Sequence, residues 1–296
     1  MNTLHKILEQ AEANGVAIGH FNISTLGILK AVFEAARDQS VPVIVGASEG
    51  ERQFVGDRQL FALVQSLQEE YDYPIFLNAD HTHSLPSALQ AAKAGFDWIV
   101  FDLSALPLEE NIRQTKAAVE ALKELRPEIL VEGEIGDIGT GSEIHDKEPD
   151  LRKGLTKPED AKQFVEETRV DTLAPAVGNM HGMLKDMVAG TTKKRLDIER
   201  IRVIKAAAQV FLTLHGASGT DDNDLRAAIA AGITVVHINT EVRLAWRRGL
   251  DASLSRQPAE IVPYKILPEV VDSIKQVVAG RLELFNRPQR ARSALQ

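Results

Sequence analysis

Residues 74–103 read PIFLNADHTHSLPSALQAAKAGFDWIVFDL, and this stretch decides the fold. A short apolar run at 74–80 gives way to an amphipathic segment, LPSALQAAKAGF, which stops at a glycine as helices commonly do; a second apolar run follows at 98–103. Near-continuous apolar strands flanking a helix are expected of a parallel sheet whose two faces are both covered. The same unit recurs outward in both directions. Further candidate strands are 16–23 (VAIGHFNI), 41–48 (VPVIVGAS), 129–136 (ILVEGEIG), 172–178 (TLAPAVG), 210–216 (VFLTLHG) and 234–241 (TVVHINTE), with helical patterns such as LEENIRQTKAAVEALKEL and DNDLRAAIAAG between them. Eight such units without a break in composition predict an α/β fold, a single-domain (β/α)8 TIM barrel over residues 1–285. A doubly wound open sheet is the competing arrangement. Residues 242–255 and 263–285 predict a C-terminal helical extension, and the basic tail 286–296 is expected to be flexible.

Composition narrows the chemistry. The chain has 296 residues, no cysteine and a formal charge of −8. The charge argues against nucleic-acid and anionic-membrane partners, which are recognised through basic surface. Without cysteine there is no thiolate nucleophile or ligand, so a metal must be held by nitrogen and oxygen, which suits zinc or another divalent ion. No apolar run is long enough to span a bilayer and the N-terminus is polar, so a cytoplasmic location is expected.

Histidines stand where the candidate strands end. Strand 74–80 ends in Asp80 and is followed by His81; strand 172–178 runs on to His181; strand 210–216 contains His215. In a β/α barrel the C-terminal strand ends converge on one mouth, so three imidazoles distant in sequence would meet there. Singly, each histidine reads equally well as a hydrogen-bonded core residue. Together they describe a catalytic metal site with three protein ligands and an open position. Asp80 and His81 are adjacent, so in a continuing strand they would point to opposite sides, one toward a metal and the other toward a substrate as acid or base. Glu132 and Glu134 share one strand face, and two carboxylates facing a barrel interior need compensation such as a cation. HGASG (215–219) and HINTE (237–241) end strands seven and eight, the usual phosphate site of such barrels, with Gly216 and Gly219 allowing close backbone approach and Ser218 and Thr240 offering hydroxyls. Segments 137–158 and 182–196 leave the same mouth and read as lids or binding loops. None of the eight candidate strands carries a lysine, which disfavours Schiff-base chemistry.

DHTHS (80–84), VEGEIG (131–136), AVGNMHGMLK (176–185), LHGASG (214–219) and HINTE (237–241) together resemble the class II, metal-dependent ketose-bisphosphate aldolases. The resemblance runs from about residue 3 to 280 with the motifs in the same order. It implies zinc-dependent cleavage of a ketose bisphosphate, fructose 1,6-bisphosphate first and tagatose 1,6-bisphosphate or another ketose phosphate as alternatives, to dihydroxyacetone phosphate and an aldehyde. By the same resemblance His81, His181 and His215 are zinc ligands and Glu134 joins them at an alternative metal position. Asp80 is the acid/base at the aldehyde oxygen. Gly182, Lys185, Gly216, Ser218 and Thr240 surround the shared phosphate, while Asn22 and Ser48 line the rest of the substrate site. A monovalent cation and a homodimer or homotetramer are also implied.

The chain departs from the family pattern in places. The loop GTGSEIHD lacks the adjacent glycines and acidic pair, which leaves Glu143 as the candidate second acid/base and His145 or Asp146 as substitutes. His237 stands where an asparagine is usual, with Asn239 nearby as a substrate-binding candidate; Pro175 interrupts strand six and Leu184 replaces a frequent tyrosine. Two other functions compete: a metal-dependent amidohydrolase, suggested by the HxH of His81 and His83, and a sugar-phosphate-binding relative that has lost turnover.

Overall fold

Every apolar run of the sequence becomes a strand, and the eight strands close on one another. A computed structural model describes residues 3–139, 141–146 and 154–287. The barrel strands are β1 (Ile18–Asn22), β2 (Val43–Ser48), β3 (Ile75–Thr82), β4 (Trp98–Phe101), β5 (Leu130–Ile135), β6 (Thr172–Pro175), β7 (Phe211–Leu214) and β8 (Ile233–Ile238). Each pairs in parallel with its sequence neighbours, and β8 returns to β1 through Ile18↔Val235 and His20↔His237. The barrel is closed, which removes the open-sheet alternative.

Local signals set the boundaries. In the stretch quoted first, the helix Leu85–Ala94 starts where the Ser84 hydroxyl accepts the Ser87 N–H, and it stops at Gly95 with φ 112°. Three predicted strands overshoot. Runs 172–178, 210–216 and 234–241 extend two or three residues past the ladder, which ends at Pro175, Leu214 and Ile238. His215 therefore stands just beyond β7, and Pro175 closes β6 instead of interrupting it. The expected C-terminal helices form as Thr240–Arg256 and Pro263–Phe285, packed on each other, with the second also against Leu26–Gln39. Of the tail 286–296, residues 288–296 lie outside the described residues.

Period-two alternation stacks the barrel interior in layers. At the closed end Ile18, Ile44, Phe76, Trp98, Leu130 and Val235 form an apolar plug, capped by the helix Leu4–Asn14. Two residues further along the strands the interior turns polar, with His20, Asn78, Glu132 and His237 all buried. Here Gly46 of β2 makes room, since a Cβ on it would lie 2.2 Å from the His20 ring. One more step brings Asn22, Ser48, Asp80 and Glu134 to the mouth. A second, larger core of apolar side chains fills the space between strands and helices. The segment expected as a lid, 137–158, is described in part: Ile144–His145 pairs in parallel with Met183–Leu184, tying the loop after β5 to the loop after β6. Among the described residues no helix is long and apolar enough to cross a membrane.

Candidate metal centre and active site

Strict alternation would send His81 away from Asp80, and the chain breaks that alternation. β3 runs through to Thr82, but its register with β4 shifts between Ala79 and Thr82, and His81 adopts φ 47°. This left-handed residue is a bulge, unfavourable by about 1–2 kcal/mol for an L side chain. It delivers two consecutive side chains to one mouth, with His81 Nε2 3.8 Å from Asp80 Oδ1.

Two carboxylates then fix the ring orientations. His81 donates from Nδ1 to Asp102 Oδ2 at 2.8 Å, which leaves Nε2 facing inward. His215 donates from Nε2 to Glu132 Oε1 at 2.6 Å, which leaves Nδ1 facing inward, 3.1 Å from His81 Nε2. His181 completes the cluster; its backbone N–H donates to Ile138 O at 2.9 Å, and its ring centroid lies 4.8 Å from that of His81. Ligand atoms of His81, His181 and His215 fall within 4.8 Å of one another. Histidines oriented by carboxylates are the usual outer shell of a metal centre. Glu134 Oε2 and Asp80 Oδ1 are buried beside them without a hydrogen-bond partner. Three convergent imidazoles and two unsatisfied carboxylate oxygens are a donor set that fits a divalent cation.

A cation bound here would displace protons that the site otherwise holds. Burial opposes charge on His81, but Asp80, Asp102 and Glu134 together raise its pKa to about 10. Burial and the neighbouring Asp102 push Glu134 up to about 8. Burial also works against the Asp80 carboxylate, but His81, His237 and His20 hold it well below the usual range, so it is ionised at neutral pH. His181 is pushed well down by burial, then by His81 and His215, and so presents a neutral imidazole.

The histidines open into a cavity of about 240 Å³. Of the residues singled out in the sequence, Asp80, His81, His181 and His215 line it on the chemical side, with Asn22 and Ser48 beside them. Gly182, Gly216, Ser218, Asn239 and Thr240 line the opposite wall, where the helix Thr240–Arg256 begins. Gly216 has φ 58°, and a Cβ there would lie 2.3 Å from Met180 O, so the loops after β6 and β7 touch backbone to backbone. Glu134 sits beneath the cavity, fully buried. Two candidates are not brought in. Lys185 is exposed and paired with Asp146 at 2.5 Å, and Glu143 is exposed outside the wall. His145 donates from Nε2 to His181 O at 3.2 Å. His83 follows β3 and borders the cavity, its Nδ1 donating to Asp102 O at 2.9 Å.

Asp102 and Arg243 escaped the sequence, while Glu132 and His237 were noted there without the roles they take. Asp102 directly follows β4 and had the signal of a strand-end carboxylate. Glu132 had the signal of an inward carboxylate. His237 stacks between His20 and His215, with ring centroids 3.5 and 4.0 Å away. Arg243, in the helix after β8, donates to Glu51 Oε1 at 2.7 Å and brings a permanent cation to the cavity wall. None of the eight barrel strands carries a lysine.

Comparison with known proteins accords with this geometry. A family model described as fructose-bisphosphate aldolase class-II matches residues 2–290. The chain is 33% identical to a fructose-bisphosphate aldolase of Thermus caldophilus, covering 97% of this chain and 98% of that one. It is 30% identical to a fructose-bisphosphate aldolase of Staphylococcus aureus (strain Mu50), covering 98% and 99%. Among solved structures, the YdjI aldolase from Escherichia coli K12 superposes with a TM-score of 0.81 at 28% identity, covering 97% of each chain.

Proposed function

The chain belongs to the class II fructose-bisphosphate aldolase family, and on that premise we propose that it reversibly cleaves fructose 1,6-bisphosphate to dihydroxyacetone phosphate and glyceraldehyde 3-phosphate with zinc as its metal. The observation that carries this reading is the convergence of His81 Nε2, His215 Nδ1 and the His181 ring, with Asp102 and Glu132 behind the first two. A divalent cation held by these residues supplies Lewis-acid stabilisation of the negative charge that develops when the carbon–carbon bond breaks.

The remaining work falls to the protein. Asp80, held ionised, takes the C4 hydroxyl proton as the aldehyde leaves. It is aimed by Asn22, whose amide donates to Asp80 Oδ2 at 2.8 Å and to Glu51 Oε2 at 3.0 Å. Ser218, Thr240 and the backbone of Gly182 and Gly216 form the seat for one phosphate, at the start of a long helix. Arg243 offers a guanidinium to the second, a group suited to phosphate recognition. Glu143 is the candidate base at C3, a role that requires its loop to fold over the cavity. A cytoplasmic homodimer or homotetramer built on one barrel domain, residues 1–285, belongs to the same reading.

Release of dihydroxyacetone phosphate from fructose and tagatose 1,6-bisphosphates, before and after EDTA and with zinc restored, tests the proposal. Cleavage abolished by EDTA and recovered with zinc supports it and ranks the sugars. A second reading, a sugar-phosphate-binding relative without turnover, draws on the exposed position of Glu143. Zinc bound in full with neither sugar cleaved would favour it. Hydrolysis of amides or lactones with zinc would favour the amidohydrolase instead, although its HxH runs past the end of β3 here.

A further inference from the structure

Lys194 takes no part in the chemistry above, yet its side chain is buried, with 2% of the residue exposed. Its Nζ donates to Met180 O and Gly182 O at 2.7 Å each and to Gly216 O at 2.8 Å. Those carbonyls come from the loops after β6 and β7, and they flank His181 and His215. Among the described residues no carboxylate lies within ion-pair distance of it. An ammonium has three N–H donors, and each finds a carbonyl. A neutral amine would turn its lone pair on one of these oxygens, so the geometry selects the charged form. Burial pushes this ammonium down toward about 7, while the Glu241 carboxylate acts in the opposite direction.

The backbone of Lys194 is pinned as firmly. Its N–H donates to Gly219 O at 2.9 Å, its carbonyl accepts the Asp221 N–H at 3.1 Å, and it forms a parallel bridge with Thr220. Head and main chain therefore clamp the two loops that supply Gly182, Gly216 and Ser218 to the phosphate seat. Neutral backbone carbonyls converging on one point are the coordination shell that replaces water around an alkali ion. Here that point is filled by part of the chain itself.

We propose that the Lys194 ammonium is a built-in monovalent cation: it occupies the carbonyl socket between the loops after β6 and β7, positions the phosphate seat, and frees this protein from the monovalent cation that the family resemblance implies. The phosphate in this statement rests on the aldolase reading, whereas the socket does not. Lys194 is a positioning residue, buried behind the wall and acting through the loops it holds.

The test compares wild type, Lys194→Ala, which leaves room for an ion, and Lys194→Met, which fills the space without charge. Each is assayed in choline, potassium and ammonium chlorides at one ionic strength, by initial rates on fructose and tagatose bisphosphates and by thermal melting. Wild type is expected to be indifferent to the cation, within about twofold in KM and with a constant melting temperature. Lys194→Ala is expected to show KM raised about tenfold or more in choline, from the loss of charge-assisted hydrogen bonds, with kcat changed less. Potassium or ammonium should restore both KM and melting temperature. Lys194→Met should show the same loss without restoration. Wild type activated severalfold by potassium over choline, or Lys194→Ala with no cation-specific recovery in either measurement, would overturn the proposal. If wild type cleaves neither sugar, the aldolase reading fails and melting alone decides the socket: a rise in potassium or ammonium confined to Lys194→Ala supports it, and flat curves refute it. If Lys194→Ala does not fold in choline, folding recovered in potassium or ammonium counts in favour, and no recovery counts against.

Discussion

Replacing Glu132 by glutamine should weaken the metal centre while leaving the barrel folded. Glu132 is fully buried and accepts three bonds: from His215 Nε2 at 2.6 Å, from the Thr172 hydroxyl at 2.8 Å and from the Thr213 hydroxyl. Glu132→Ala would orphan all three donors in a dry interior and risk the fold, which is why the amide is the better probe. In Glu132→Gln the amide oxygen faces His215 and the NH2 faces the two hydroxyls, which rotate to accept. The shape is kept and the charge is lost. A charge-assisted hydrogen bond is about twice as strong as a neutral one, so His215 loses about 1–2 kcal/mol of support for the tautomer with a free Nδ1. At 1.4 kcal/mol per factor of ten, zinc affinity should fall about 5- to 30-fold. The loss compounds if the amide turns the other way, because His215 then carries its proton on Nδ1, where the ligand lone pair is needed. Competition with a chromophoric chelator measures the affinity, and thermal melting of the metal-free protein checks the fold. Zinc affinity within twofold of wild type, with His215 still required for binding, would show that Glu132 does not orient this ligand.

Other substitutions separate the remaining roles. Asp80→Ala should retain zinc by elemental analysis while turnover falls by at least about 100-fold, the range of a lost acid/base, whereas His181→Ala should lose zinc and activity together; near wild-type cleavage by Asp80→Ala would remove it as the base. Gly46→Ala should lower stability by about 1–3 kcal/mol in denaturant titrations, because the new methyl meets the His20 ring, which cannot retreat from His237 at 3.5 Å; an unchanged midpoint would mean that the layer beneath the site is loosely packed. Asp97 accepts the Leu77 N–H at 2.8 Å, and burial raises its pKa to about 6. A carboxyl whose folded pKa is raised holds its proton longer in the native state, so stability falls as pH climbs from about 4 to 6 and stays lower above. Asp97→Asn should therefore be the more stable protein at pH 8 by about 3 kcal/mol and gain nothing near pH 4; equal differences at both pH values would exclude the burial effect.

The architecture was legible because its signal is local. Strands buried on both faces must be apolar throughout, and helices between them must stop, so alternation alone marks eight units. Where each ladder ends was not legible, since apolarity at Val177 continues after the ladder has stopped at Pro175. The three histidines were legible by position at strand ends. Their orientation was not: the Glu132–His215 bond joins residues 83 apart in sequence, and only barrel closure brings them together. The turn at His81 carried no sequence signal, because left-handed backbone is normally announced by glycine or asparagine. Lys194, in TTKKRL, looks like any solvated surface lysine. Lys185 and Glu143 came from motif position alone, and both side chains are exposed, outside the cavity lining.

The bulge at His81 has a mechanical consequence. A proton acceptor and a cation-binding nitrogen drawn from different strands would drift relative to each other whenever the barrel breathes. Here Asp80 and His81 are successive residues, their Cα atoms held about 3.8 Å apart by one trans peptide. Any tilt or slide of the end of β3 carries both Cα atoms together, so the spacing of their backbones is set by covalent geometry, while Asp102 and Asn22 aim the two side chains. Substitutions on the outer helices can therefore soften or stiffen the whole barrel while this pair stays in tune.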